Sequence, residues 1–326
     1  MVGIMKKESR GILSIVATVF AASIAAIILA GCPDTTLLAY VKTNSIPAFT
    51  LTSPTASYYT SAPLFDYSIT SSGVISVTLN GAPVAIANGQ PLTGSVTGMN
   101  TVTVDVKDSK GNAVGTTQKV EYFLNDLVGV DGDAFGGSFV NWTEASTGGA
   151  ALEIYQNTLA VRGALAVTAW GFIYKPYPSG TETKFLQVCE VVSIVNENGY
   201  VMQGLFGGVG DSLIALLAYG GTGFGLVLEE TSPTHLPLPY YRMIGSSTGP
   251  ATLSQPAALW FYRNGNDYQA VVMDANGVIL GKIVTTGYIS ANGYPVLNKR
   301  GIALGPYDST SSTSILVRAD NYGYFK

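Results

Sequence analysis

The sequence predicts an all-β protein in which a cleavable signal peptide precedes two β-sandwich domains. After residue 32 no stretch repeats apolar residues at the helical period, whereas short runs of β-branched and aromatic residues recur throughout. Turn dipeptides separate these runs. Asn-Gly, which favours the tight turns of β-hairpins, begins at Asn80, Asn88, Asn198, Asn264, Asn276 and Asn292. Short strands between regular turns are typical of sandwiches and barrels.

The first 31 residues have the three parts of an export signal. A basic start (Lys6, Lys7, Arg10) leads into an uncharged apolar run over residues 11–29, and small residues precede Cys32. The tetrapeptide at residues 29–32 resembles the lipobox of prokaryotic lipoproteins. That resemblance implies a diacylglycerol on the Cys32 thiol, cleavage just before it, and a lipid anchor at the cell membrane or cell surface. The alternative is a transmembrane anchor, since the apolar run approaches the roughly 20 residues that span a bilayer.

Composition excludes several function classes. Removing the signal leaves 14 basic and 20 acidic residues, so the mature chain carries about −6 and should not bind nucleic acid. Once Cys32 is lipidated, Cys189 is the remaining cysteine, in an apolar run that predicts burial. With His235 as the single histidine, thiolate zinc clusters and Ser-His-Asp or Cys-His catalysis lack parts.

After a linker at residues 32–45, the first domain is predicted to occupy residues 46–124. Its strand candidates are residues 49–52, 64–70, 74–79, 101–107 and 114–123, and Val102, Val104 and Val106 alternate onto one face. Residues 100–112 (NTVTVDVKDSKGN) resemble the late strands of immunoglobulin-like modules of bacterial surface proteins. This resemblance implies an immunoglobulin-like sandwich that acts as a spacer.

The second domain is predicted over residues 125–326. Three blocks, in order along the chain, resemble concanavalin A-like (laminin G-like) jelly rolls. The blocks are residues 133–161 with Trp142, the hairpin at residues 259–270 with a second turn at Asn276, and residues 301–305 with 315–322. The resemblance implies a jelly-roll sandwich that binds a glycan or a protein partner.

No catalytic motif is found. Enzymes of this fold that cleave β-glucans carry clustered carboxylates on one strand, at alternate positions that share a face. Glu229 and Glu230 are adjacent and would point to opposite faces, and Glu190 has no carboxylate two or four residues away. The sequence therefore predicts that the protein is not an enzyme.

Trp170, Trp260 and Glu190 are the candidate ligand-binding residues. Sugar rings stack on exposed tryptophans, but sandwich cores also need large aromatic residues, and the sequence leaves Trp170 and Trp260 open between these roles. Trp142 is expected in the core. Glu190 interrupts an apolar strand, which indicates either a strand that faces solvent, or an edge position or an Arg or Lys partner.

No cofactor is predicted, although calcium is an option because relatives of this fold often bind it near the loop that holds Asp131 and Asp133. Two carboxylates supply fewer ligands than calcium requires. The sequence thus favours a surface-anchored glycan- or protein-binding module. The alternative is a structural or self-assembling envelope protein without a small ligand.

Overall fold

A computed structural model describes residues 48–70, 73–108, 110–115, 117–165, 169–176, 183–195, 199–206, 213–219, 225–232, 240–248, 256–288, 298–306 and 313–326. Between residues 199 and 248 it describes the backbone and, of the side chains, that of Val201. All of these ranges form strands and connecting turns, without a helix among them, which confirms the predicted all-β sandwich class. No described segment is a helix long and apolar enough to cross a membrane.

Residues 48–124, here called the N-terminal sandwich, form a three-stranded sheet of order β1-β3-β6 and a five-stranded sheet of order β2-β8-β7-β4-β5. Its strands are β1 (Phe49–Ser53), β2 (Tyr58–Tyr59), β3 (Leu64–Ile69), β4 (Val74–Leu79), β5 (Ala82–Val84), β6 (Gln90–Pro91), β7 (Gly98–Lys107) and β8 (Gln118–Leu124). Four of these strands overlap their predicted ranges closely. The immunoglobulin-like type of this sandwich stays a prediction.

Strand β7 illustrates how the sequence pattern forms this sandwich. Its residues alternate strictly between buried and half-buried positions, and Val102, Val104 and Val106 are buried on one face, as predicted. Phe65 of β3 and Tyr122 of β8 are also fully buried. The opposite face of β7 and β8 carries Met99 and Phe123, which are paired in register.

The chain divides into two compact units. The described parts of the smaller unit lie within residues 48–49, Ile69–Val74 and Val106–Thr116. In this unit Asp108 Oδ1 accepts hydrogen bonds from the backbone N–H groups of Lys110 (2.8 Å) and Asn112 (2.9 Å), which closes the turn after β7.

The larger unit comprises Thr50–Ser68, Ile75–Asp105 and Thr117–Lys326, so it contains most of the N-terminal sandwich together with residues 125–326. The predicted independence of residues 46–124 and 125–326 as separate domains stays a prediction.

Residues 125–326, here called the large sandwich, form two antiparallel sheets. The eight-stranded sheet has the order β11-β12-β23-β14-β19-β20-β21, with β9 paired to β23, and the seven-stranded sheet has the order β10-β13-β22-β15-β16-β17-β18. Their strands are β9 (Gly129–Asp133), β10 (Thr143–Thr147), β11 (Leu152–Tyr155), β12 (Thr158–Leu165), β13 (Trp170–Pro176), β14 (Lys184–Val195), β15 (Gly199–Phe206), β16 (Leu213–Tyr219), β17 (Gly225–Ser232), β18 (Tyr240–Thr248), β19 (Ala257–Asn264), β20 (Asp267–Met273), β21 (Ile279–Thr285), β22 (Lys299–Pro306) and β23 (Thr313–Phe325).

The inner faces of these two sheets enclose one hydrophobic core. Ile173 and Leu304 reach it from the seven-stranded sheet, and Val161, Phe261 and Val317 from the eight-stranded sheet. Because side chains alternate along each strand, the neighbours of these residues point to the outer faces. The core therefore determines which residues are available at the two outer surfaces.

Turn geometry follows the predicted dipeptides in part. Asn80 and Gly81 both have positive φ (52° and 82°), as a type I′ turn requires. The turn between β11 and β12 has the same feature at Gln156 (51°) and Asn157 (59°), without a glycine. Cross-strand pairing thus imposes a tight turn where the dipeptide signal is absent.

Candidate functional site on the seven-stranded sheet

Strand β13 carries three aromatic side chains on one face. Ala169 and Ile173 lie in the core, and a Cβ on Gly171 would lie 2.6 Å from Leu152 Cγ, so the odd-numbered residues face inward. The even-numbered residues Trp170, Phe172 and Tyr174 therefore face outward. Their rings form a continuous series, with centroid distances of 5.7 Å from Trp170 to Phe172 and 5.0 Å from Phe172 to Tyr174. We call these three residues the aromatic strip.

Trp170 and Tyr174 are half-buried, whereas Phe172 between them is fully buried. The two ends of the strip thus offer accessible aromatic surface, and the middle ring holds them apart. Aromatic rings that remain partly exposed at a sheet surface can stack on flat apolar faces of a ligand.

Small residues flank the strip on both neighbouring strands. The pairing of β10 with β13 places Ala145 opposite Phe172, and the pairing of β22 places Ala303 there. Gly301 lies opposite Tyr174, and a Cβ at this position would lie 2.0 Å from the Ile173 carbonyl oxygen. The close approach of β22 to β13 therefore requires glycine at residue 301.

One positive charge lies beside the strip. The ammonium group of Lys299 is 4.6 Å from the centroid of the Tyr174 ring, in a cation–π contact. Among the described outward-facing side chains of β10, β13 and β22, Lys299 is the charged one. The described part of this face therefore combines aromatic rings and small side chains with one positive charge.

The inner face beneath the strip is held by a cluster of charges. Asp131 of β9 accepts hydrogen bonds from Lys175 Nζ (2.8 Å to each oxygen) and from an Arg300 Nη atom (3.0 Å). Lys175 and Arg300 face each other in the register of β13 and β22. Burial alone would raise the pKa of the Asp131 carboxyl, but the two cations outweigh it and hold that pKa below its usual range. The cluster thus connects the strands of the site to β9 and the eight-stranded sheet.

The two calcium candidates, Asp131 and Asp133, accept hydrogen bonds from other residues of the chain. Asp131 is paired with the two cations just described. Asp133 Oδ1 accepts a hydrogen bond from the Phe135 backbone N–H, and its Oδ2 accepts one from Trp142 Nε1, each at 2.8 Å. Within the described ranges no group of three or more His, Cys, Asp or Glu side chains is placed to hold a metal ion.

Trp260 lies on the other sheet. It is on the outer face of β19 and is 8% exposed, because Tyr58 (centroid distance 4.6 Å) and Phe123 (5.4 Å) of the N-terminal sandwich cover it. The choice between core and ligand site that the sequence leaves open is therefore decided in favour of a packing role. The structure does not bring Trp260 together with Trp170.

Glu190 is also on the eight-stranded sheet, on the central strand β14, in register with Asp320 of β23. Its half-buried side chain lies on the outer face of this strand, and its carboxylate accepts a hydrogen bond from Asn321 Nδ2. Burial, with the nearby charges of Glu190 and Asp133, raises the pKa of Asp320. Glu190 and the aromatic strip therefore lie on different sheets.

Several sequence candidates have no described side chain. Cys32 and His235 lie outside the described residues, and for Glu229 and Glu230 only the backbone pairing with β16 is described. Cys189 is fully buried in the core, as predicted, and burial raises the pKa of its thiol. Phe172, Tyr174 and Lys299 were not singled out from the sequence, although the alternating aromatics of WGFIY at residues 170–174 are a visible signal.

No family model and no curated protein sequence matches the chain. Similar solved structures include the CBM2 module of the evolved Dit protein of Lactobacillus casei BL23 phage J-1, at 13% identity, over 60% of this chain and 95% of that chain, with a TM-score of 0.42. A Lotus tetragonolobus seed lectin is 11% identical over 61% of this chain and 99% of its own, with a TM-score of 0.38. The GH43 protein BlXynB of Bacillus licheniformis is 9% identical over 70% of this chain and 50% of its own, with a TM-score of 0.43. At these values the likenesses define neither a ligand nor an activity.

Proposed function

We propose that this protein is an exported, lipid-anchored, non-enzymatic binding protein whose large sandwich recognises a glycan or a protein partner on the outer face of the seven-stranded sheet. The observation that carries the proposal is the aromatic strip of Trp170, Phe172 and Tyr174 between flanks of small residues. In the sequence, the N-terminal sandwich lies between the anchor and the large sandwich, and we propose that it acts as a spacer.

The geometry suits a ligand with flat apolar faces and polar edges, as a sugar chain has. With a rise of about 3.3 Å per residue, the backbone positions of Trp170 and Tyr174 are about 13 Å apart, which is long enough for more than one ring. The half-buried rings of Trp170 and Tyr174 are the surfaces on which such a ligand would stack. Lys299 adds a donor at one end of the strip.

A glycan array tests the proposal with the full chain, with and without calcium. We expect binding that falls at least tenfold in the variant Trp170→Ala, because one of the two accessible rings is lost. Tyr155→Ala is the matched control, since Tyr155 is half-buried on β11, at the edge of the other sheet. Binding that Trp170→Ala leaves unchanged would refute the site.

Lipid anchoring has its own test. We expect the full chain to label with palmitate and to partition into the detergent phase, and Cys32→Ala to remain an uncleaved precursor. Cys189→Ala is the control, because Cys189 is buried and should not be modified. Normal processing of the Cys32 variant would exclude the lipoprotein hypothesis.

The second candidate is a structural or self-assembling envelope protein. The observation in its favour is the exposure of Val128 (72%) and Val130 (50%) at the start of β9 and of Val140 (82%) between β9 and β10. If this second function is the correct one, the glycan array stays silent and sedimentation shows concentration-dependent association. Val140→Asp should then weaken the association.

A further inference from the structure

We propose that the part of the N-terminal sandwich within the larger unit is a fixed cap of the eight-stranded sheet, so that it unfolds together with the large sandwich as one cooperative body. In this view it is an obligate structural partner of the large sandwich instead of a mobile spacer. The inference does not depend on the ligand proposed above.

An apolar seam joins the outer faces of the five-stranded and eight-stranded sheets. We define the seam as Tyr58, Met99 and Phe123 on one side and Trp260, Tyr262, Val271 and Met273 on the other. Phe123 packs edge-on against both Trp260 (5.4 Å between centroids) and Tyr262 (6.2 Å). Phe123, Val271 and Met273 are at most 1% exposed.

A soluble large sandwich would expose this surface without the cap. Trp260, Tyr262, Val271 and Met273 lie on adjacent strands, β19 and β20, and form one contiguous patch with Leu186. Soluble monomers rarely expose large contiguous apolar patches. The seam is therefore buried like a hydrophobic core, and its two sides stabilise each other.

Polar contacts fix the register of the seam. The Met99 backbone N–H donates to Gln269 Oε1 at 2.7 Å, and Ser57 Oγ donates to the Gly277 carbonyl at 3.0 Å. Glu121 of β8 forms an ion pair with Lys282 of β21. Directional bonds at three separate places oppose both sliding and rotation of one sheet on the other.

The absence of a side chain at residue 98 allows this close contact. A Cβ on Gly98 would lie 2.5 Å from Gln269 Oε1 and 2.9 Å from Tyr262 Cε1. Gly98 also has a φ of 100°, which L-residues rarely adopt. The start of β7 is thus shaped to its partner across the seam.

Calorimetry of the full chain tests cooperativity without any variant. We expect one unfolding transition for the larger unit, with equal calorimetric and van't Hoff enthalpies. Two transitions, one for each sandwich, would overturn the proposal.

Charge reversal tests the seam itself. Glu121→Lys places a positive charge against Lys282, and we expect thermolysin to cleave the connection at residues 125–128 about fivefold faster, because the seam opens more often. The double variant E121K/K282E restores the pair and should restore resistance.

The matched control is Glu153→Lys, which breaks the exposed pair with Arg162 on β11 and β12. It should leave cleavage at residues 125–128 unchanged. Cleavage that is equal in wild type and Glu121→Lys, or that the double variant does not reduce, would show that the N-terminal sandwich is not a fixed cap.

Discussion

The outer faces of the two large sheets carry comparable residues with opposite surroundings. Each face presents a tryptophan beside other aromatic rings: Trp170 with Phe172 on β13, and Trp260 with Tyr262 on β19. Trp260 is covered by Tyr58 and Phe123, whereas Trp170 stays half-buried. Aromatic character alone therefore does not identify a ligand site; the element packed on top decides.

The two faces also differ in the size of the side chains that flank each tryptophan. The strip beside Trp170 is flanked by the small residues Ala145, Gly301 and Ala303. The patch around Trp260 is flanked by Leu186 and Met273, which fill space against the N-terminal sandwich. Small flanking side chains leave room for a ligand that binds reversibly, whereas large flanking side chains fill the space of a permanent packing contact.

The largest expected difference between the faces is in stability. Trp260→Ala should lower the free energy of unfolding by about 3–5 kcal/mol, because it leaves a cavity in a sealed seam. Trp170→Ala should cost less, about 1 kcal/mol, because Trp170 is half-buried. Denaturant unfolding of both full-length variants measures this, and equal losses would contradict the assignment of the two faces.

The second expected effect concerns the close approach at Gly98. Gly98→Ala should cost about 2–4 kcal/mol, since it combines an unfavourable left-handed backbone with a clash against Gln269 and Tyr262. Gly81→Ala is the control, because Gly81 has a φ of 82° but nothing within 4 Å of an added Cβ. The control should cost about 1 kcal/mol. If the two melts shift equally, the seam does not require glycine at residue 98.

The third effect is acid sensitivity, which should be larger under the aromatic strip than at the seam. The pKa of Asp131 is lowered in the folded state, so the stability that it contributes is present above its ordinary value of 3.8 and is lost as pH falls through its folded value. Asp131→Asn should cost about 1–2 kcal/mol near neutral pH and flatten the acid limb of the stability curve.

The seam pair should contribute less to that acid limb. The side chains of Glu121 and Lys282 are 27% and 35% exposed, against 22%, 16% and 11% for Asp131, Lys175 and Arg300. Solvent therefore screens the seam pair more. Denaturation followed between about pH 6 and pH 3 compares Asp131→Asn with Glu121→Gln. A steeper acid dependence of the seam pair would reverse the order.

Much of the fold could be predicted because strands and turns are local. The β7 alternation of Val102, Val104 and Val106 and the turn at Asn80–Gly81 follow from neighbouring residues. The turn at Gln156–Asn157 lacks the Asn-Gly dipeptide, so it is indicated by Asn157, which tolerates positive φ, and by the jelly-roll resemblance of residues 133–161. Of the aromatic strip, only Trp170 was singled out, because Phe172 and Tyr174 also fit a buried strand.

The sequence by itself determined the strand class, several of the turn positions and the low charge. Only the tertiary structure decided which outward-facing tryptophan is covered. That outcome depends on contacts such as the one from Met99 to Gln269, which are 170 residues apart. Alternation along a strand predicts which side chains point away from the core. Whether such a side chain is exposed depends on whether another sheet packs against that outer face.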